Sequence, residues 1–161
     1  MEGYSLLLFS VKGERGDEPM PARTDWLLRF IAGTEGYDGW VDRIRIMKGM
    51  FLFQAEAPRP PEIDYTFRPY DYGPFTPEIY RDLEALVEKS YVVESPAGRS
   101  YRATQQGRDY LSGLLFPAQP LEALIELRVE ITDLSFRKLL KRVYSAHPES
   151  ARRSVAKDVL D

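Results

Sequence analysis

No cysteine occurs in the sequence, and His147 is its only histidine. The first absence excludes a disulfide framework, a thiolate metal cage and a thiol nucleophile. The second leaves too few ligands for a transition-metal site. Long apolar runs are missing too: Leu6-Leu7-Leu8-Phe9 is far too short to cross a bilayer, and acidic Glu2 ahead of it does not resemble the start of a secretory leader. The expectation is a soluble, cytoplasmic protein with no membrane partner. A basic excess is also lacking. With 22 Lys and Arg against 25 Asp and Glu the net charge is -3, so nucleic-acid binding would need a local basic face.

Signatures of catalysis are equally sparse. There is no Walker loop, no paired-glycine dinucleotide fingerprint and no Gly-x-Ser-x-Gly elbow. Glu84 and Glu88 form a carboxylate pair, but acidic residues four apart on a helix read as a solvated face. His147, beside Pro148 near a helix end, reads as a cap or surface residue rather than a catalytic base. The chain therefore reads as non-enzymatic, with no cofactor and no metal.

What the sequence does contain is a succession of short, well-punctuated elements. Its 161 residues fit one domain: an amino-terminal segment 1–23, a core 24–116 with an insertion at 55–75, and a helical extension 117–161. Tyr4 to Val11 is open between an edge strand and the first turns of a helix, and Gly13, Gly16, Pro19 and Pro21 mark a loop. Thr24 is placed to cap a helix with Leu27, Phe30 and Ile31 inside and Gly33 at its end. After the Gly36-Tyr37-Asp38-Gly39 turn, Asp42 opens a second helix carrying Ile44, Met47, Phe51 and Leu52 inward, with Arg43, Arg45 and Lys48 elsewhere on its surface. Three prolines between Ala57 and Pro61 impose a stiff loop.

The aromatic stretch Tyr65, Phe67, Tyr70, Tyr72, Phe75 follows, with a Gly73-Pro74 turn. Thr76-Pro77 then starts a third helix by N-cap and first-turn proline, and Ile79, Leu83, Leu86 and Val87 face the core. Tyr91 to Val93 and Ser100 to Arg102 flank Ser95-Pro96-Ala97-Gly98 as a hairpin. Thr104 caps a helix through Leu111 and Leu115 that Pro117 closes. Pro120 reopens helical structure with Leu121, Leu124 and Ile125 inward and Glu122, Glu126 and Glu130 stacked outside. A last helix places Phe136, Leu139, Leu140, Val143 and Tyr144 inside. The fold class expected is mainly α with a small β-hairpin wing, a winged helix-turn-helix core with two carboxy-terminal helices.

Two short motifs carry a resemblance. Lys48-Gly49-Met50-Phe51-Leu52 and Tyr70-Asp71-Tyr72-Gly73-Pro74 match the helix and turn that characterise the Panacea-type antitoxins and related small bacterial winged-helix proteins, which this chain resembles over roughly residues 24–115. Ile79-Tyr80-Arg81-Asp82-Leu83 and Val143-Tyr144-Ser145-Ala146-His147-Pro148-Glu149 are similar to that group as well. Residues 1–23 and Pro58 to Pro61 depart from its pattern. The resemblance implies a regulatory binding role with a protein partner, such as a toxin, and transfers no catalytic residue.

Charge distribution separates two ways of binding. The outward arc of the third helix, Glu78, Arg81, Glu84, Ala85, Glu88 and Lys89, sums to -1, which suits a major groove poorly. From Leu134 to Lys157, seven basic residues stand against one acidic, a local +6 that leaves -9 for the rest. Two readings of this basic segment compete: a contact surface, or charges that pair with the Glu122, Glu126, Glu130 stripe or are solvated. The candidate partner-contact residues are Tyr70, Tyr72, Glu84, Glu88, Arg137, Lys138, Lys141 and Arg142. The alternative, a DNA-binding regulator dimerising through its terminal helices, assigns DNA contact to Arg81, Lys89, Arg99 and Arg102. The aromatic stretch has two readings as well: a stacking platform, or bulk that anchors a turn between helices.

Overall fold

The computed structural model describes residues 19–34, 39–156 and 158. The Tyr4–Val11 stretch, the loop at Gly13 and Gly16, the centre of the Gly36–Gly39 turn and Lys157 lie outside the described residues. Helices α1 (Arg23–Ala32), α2 (Arg43–Glu56), α3 (Pro77–Glu88), α4 (Gln105–Ser112), α5 (Ala118–Thr132) and α6 (Phe136–Ala146) make the described chain mainly helical. Small antiparallel sheets complete it. Strands β1 (Val41–Asp42), β4 (Val92–Glu94) and β5 (Ser100–Ala103) form one sheet in the order β1-β5-β4, and β2 (Arg68–Tyr70) pairs with β3 (Gly73–Phe75) in another.

Local chemistry accounts for most element starts. Asp42 caps α2 by accepting from the Arg45 amide at 2.9 Å, Thr76 caps α3 through the Glu78 amide at 3.2 Å, and Thr104 caps α4 through the Gly107 amide at 3.0 Å. Ser135, which no reading of the sequence singled out, does the same for α6. Helix α1 departs from expectation. It begins at Arg23, with Thr24 inside its first turn, because the Asp25 carboxylate reaches back to the Ala22 amide at 2.8 Å and supplies the first-turn acceptor instead. Helix α4 ends at Ser112, short of Leu115, and α5 starts at Ala118, before Pro120. A first-turn proline costs nothing there, since its missing N–H has no helical acceptor.

Helix α2 occupies the centre. It packs on α1, α5, α6 and β3, so its buried residues run around most of its circumference, from Ile46 through Gly49 and Met50 to Phe53. That placement overturns the expectation that Lys48 lies on the surface: it is 4 % exposed. Buried side chains of α1, α2, α3, α5 and α6 form one continuous cluster around Trp26, Phe30, Phe53 and Tyr144. Ile79, Leu83 and Leu86 pin α3 to it, each contributing roughly 1.5–3 kcal/mol by burial. The loop after α2 is tied down by polar contacts: the Tyr65 hydroxyl donates to Asp82 at 2.7 Å, and the same carboxylate pairs with Arg23 at 3.0 Å. Tyr65 and Phe67 thus serve as anchors, Phe67 packing edge-on against Phe51 at 5.3 Å.

Two further expectations need correction. The Arg68–Phe75 stretch, expected to turn at Gly73-Pro74, is a β-hairpin that turns at Asp71 and Tyr72, with Gly73 and Pro74 opening β3, and it adds a second sheet to the expected single wing. Phe136 is not inside: as the first residue of α6 it projects beyond the core and is 40 % exposed.

Candidate functional site

The turn of the β2–β3 hairpin reaches α6 and the chain that follows it. Gly73 has φ of +93°, and a Cβ there would sit 2.8 Å from Tyr144 Cε1, so only glycine lets the turn lie flat on α6. Next to it, Lys48 Nζ donates to the Pro74 carbonyl at 3.1 Å. Burial pushes this amine down to about 8 from its ordinary 10.5. The two motifs behind the family resemblance are therefore in direct contact. On the other side the Val155 amide donates to the Asp71 carbonyl at 2.8 Å, and the hydroxyls of Tyr144 and Ser154 are 2.6 Å apart.

Held in this way, the tip presents Tyr70 and Tyr72 to solvent, 44 % and 45 % exposed. Tyr72 meets Phe136 edge-on at 5.8 Å; Tyr70 leans on Phe75 at 5.2 Å, with the Arg153 guanidinium 5.8 Å from its ring. Val155, joined to Asp71 through its amide, is 68 % exposed. Tyr70, Tyr72, Phe136 and Val155 are four of the eight exposed large hydrophobics among the described residues. Three segments distant in sequence thus assemble one apolar patch, which chance scatter would not concentrate.

The basic residues of α6, the helix that Phe136 opens, behave differently from one another. Lys138, Lys141 and Arg142 line a shallow groove with Ser145 and Ala146. Arg142 is engaged internally, 2.7 Å from Glu56 and 2.9 Å from Glu130. Its hydrogen bonds to Glu56 are the main reason that this carboxyl is held down at about 2, with the His147 contact at 2.7 Å adding to them. His147 itself closes α6 and lies edge-on to Phe51. Of the acidic stripe, Glu130 alone meets α6 by an ion pair among the described residues. Arg137 pairs with Asp158 at 3.4 Å on the exposed surface, where such a pair contributes little. Lys138, Lys141, Arg152 and Arg153 are exposed and make no ion pair among the described residues.

Glu84 and Glu88 are elsewhere. With Tyr80 and Val87 they form a stripe along α3 at i, i+4, i+7 and i+8, which the β4–β5 hairpin faces with Glu94 and Tyr101. These residues and Arg43 line a cleft of about 430 Å³. Glu94 and Tyr101 are direct cross-strand partners, and the Tyr101 hydroxyl donates to Glu94 at 3.2 Å. Burial first, and then the Glu94 charge, push that phenol up to about 12. Arg43 stacks over Tyr80 at 4.4 Å and donates to the Gly98 carbonyl at 3.1 Å. Three carboxylates against one guanidinium make the cleft acidic. Among the described residues no group of three or more His, Cys, Asp or Glu is placed to hold a metal ion.

Comparison with protein-family models, with curated proteins and with solved structures finds no match to this chain. Its own geometry is thus the basis for a functional reading.

None of the residues assigned to DNA contact lines the acidic cleft. Arg81, Lys89 and Arg99 are exposed, while Arg102 is half-buried with its guanidinium 4.7 Å over the Trp40 ring. Sequence reasoning missed Phe136, Arg153 and Val155 at the patch, and Arg43, Tyr80, Glu94 and Tyr101 at the cleft. Tyr80, Glu84 and Glu88 carried a signal in their four-residue spacing. At the patch, Tyr70 and Tyr72 stood out within the aromatic stretch, but nothing joined them to Phe136, Arg153 or Val155, which come from separate segments and meet them only by packing.

Proposed function

We propose that this chain is a non-enzymatic regulatory binding module of antitoxin type whose partner is a protein. The observation that carries the reading is the patch at the β2–β3 tip: exposed aromatic rings held rigidly, with an arginine over one of them, the residue types that protein interfaces concentrate. The succession α1, β1, α2, α3, β4, β5, with the β2–β3 hairpin inserted between α2 and α3, and the sheet order β1-β5-β4 support a winged-helix core, with β4–β5 as the wing. In that frame α3 is the helix that would enter a major groove, and the stripe it turns toward the wing carries Glu84 and Glu88. Carboxylates there repel phosphate, which favours a protein over DNA.

A DNA-binding regulator is the second reading, favoured by the same succession of elements and by the exposure of Arg81, Lys89 and Arg99. Fluorescence anisotropy against labelled duplex DNA at low salt separates the two. The protein-partner reading expects no saturable binding. Binding that falls steeply with salt and is lost in Arg99→Ala/Arg102→Ala would establish the DNA reading instead.

A further inference from the structure

Resting on the protein-partner reading, the surface geometry points to a specific kind of occupant: we infer that the β2–β3 tip and the outer side of α6 dock an acidic amphipathic segment of the partner. Its apolar side chains would lie on Tyr70, Tyr72, Phe136 and Val155, and its carboxylates would meet Lys138, Lys141, Arg152 and Arg153.

The apolar half of the site is already assembled. Tyr72 and Phe136 are in ring contact at 5.8 Å, and the Val155 amide is bonded to the Asp71 carbonyl between the two tyrosines. The backbone beneath cannot easily give way, because Gly73 lies against Tyr144 and the Pro74 carbonyl is bonded to buried Lys48. Rings carried on a rigid support lose little entropy on binding, which makes them effective anchors.

The charged half selects the partner's sign. Four exposed cations have no ion-pair partner among the described residues, and Arg153 lies over Tyr70 itself. The acidic residues nearby are Asp71, Glu149, Asp158, Glu56 and Glu130; Asp158 is matched by Arg137, Glu56 and Glu130 are matched by Arg142, and Asp71 and Glu149 are too few to balance the four cations. A basic segment would be repelled, and a neutral apolar one would leave the cations without counter-charges as they lose water. An acidic segment satisfies both the rings and the cations.

Selection of a capped random-peptide library on the immobilised full-length chain tests this. The expected result is enrichment of peptides in which Asp or Glu alternates with aromatic or aliphatic residues. Binding of an enriched peptide should weaken by about tenfold or more in Tyr72→Ser/Phe136→Ser and in Arg152→Glu/Arg153→Glu, and in its own Asn/Gln counterpart. All four substituted side chains are exposed, and unchanged far-UV circular dichroism checks that the variants fold. Failure to enrich any peptide, enrichment of basic or uncharged peptides, or affinities unchanged in both variants would overturn the inference. So would concentration-dependent self-association abolished by Tyr72→Ser/Phe136→Ser, which would make a second copy the occupant. A native protein partner that stays bound to both variants would remove this surface while leaving the protein-partner reading intact. Salt-sensitive DNA binding without a protein partner would remove the reading itself.

Discussion

The two hairpins of this chain are similar in size and opposite in use. The β4–β5 hairpin is supported by the short β1 strand, and its loop, Ser95 to Arg99, is turned largely to solvent. The β2–β3 hairpin is stitched into the molecule at its turn, by Gly73 on Tyr144, by Lys48 on Pro74 and by Val155 on Asp71. A hairpin whose loop is exposed, held at its end by Arg43 bonds to the Gly98 and Arg99 carbonyls, can tolerate change there. One whose turn is a packing element holds its exposed rings in fixed positions, and that rigidity is what a recognition surface requires.

The strongest way to break this contrast is to substitute the two turn glycines. Both Gly73 and Gly98 have positive φ, so alanine strains the backbone by roughly 1–2 kcal/mol at either position. At Gly98 the nearest obstacle is the end of the exposed Glu94 side chain at 3.2 Å, whereas at Gly73 it is the buried Tyr144 ring at 2.8 Å. Gly73→Ala should therefore cost a further 1–3 kcal/mol or so from overpacking. Urea unfolding of both variants should show the larger loss at Gly73, and equal losses would mean that the β2–β3 turn is not a packing element.

Lys48 offers a sharper probe of the same hairpin. Its amine is at about 8 in the fold and 10.5 when unfolded, so between those values the unfolded chain binds the extra proton. Stability must then rise with pH across that window, in total by an amount on the order of 3 kcal/mol. Tyr101 and Tyr110, both pushed up to about 12, act in the opposite direction above pH 10. Thermal melts between pH 7.5 and about 10 should show the rise in the wild type and a flat profile in Lys48→Met. A rise retained in the variant would place the titration elsewhere.

The smallest effect concerns the far end of α6, away from either hairpin. Glu56, held at about 2 chiefly by Arg142, stabilises the fold above its ordinary 4.5, and that contribution is lost as pH falls toward 2. Glu56→Gln should flatten the acid limb of the stability curve without altering the alkaline rise. An unchanged acid limb would show that the Arg142 contact is too well solvated to matter.

Much of the architecture was legible because it is written locally. Asp42, Thr76 and Thr104 are caps whose side chains bond within three residues, and Gly33 ends α1 as its conformation requires. The hairpin around Ser95 to Gly98 was legible for the same reason, to within a residue at its ends. Lys48 was misread because a helix buried on most sides offers no polar face to infer from periodicity. Phe136 was misread because it continues the inward spacing of α6 while standing past the end of the core.

By itself the sequence determined the helices, the caps of α2, α3 and α4, the lack of cysteine and of all but one histidine, and the gathering of positive charge after Leu134. Those properties depend on residue type and on neighbours a few positions away. Only the tertiary structure decided which residues form a surface. Tyr72 meets Phe136, Asp71 meets Val155 and Lys48 meets Pro74 across long stretches of chain, while Glu84 and Glu88 fall into a separate cleft with Arg43 and Tyr101. Such meetings depend on how the whole core packs, and no local pattern encodes them.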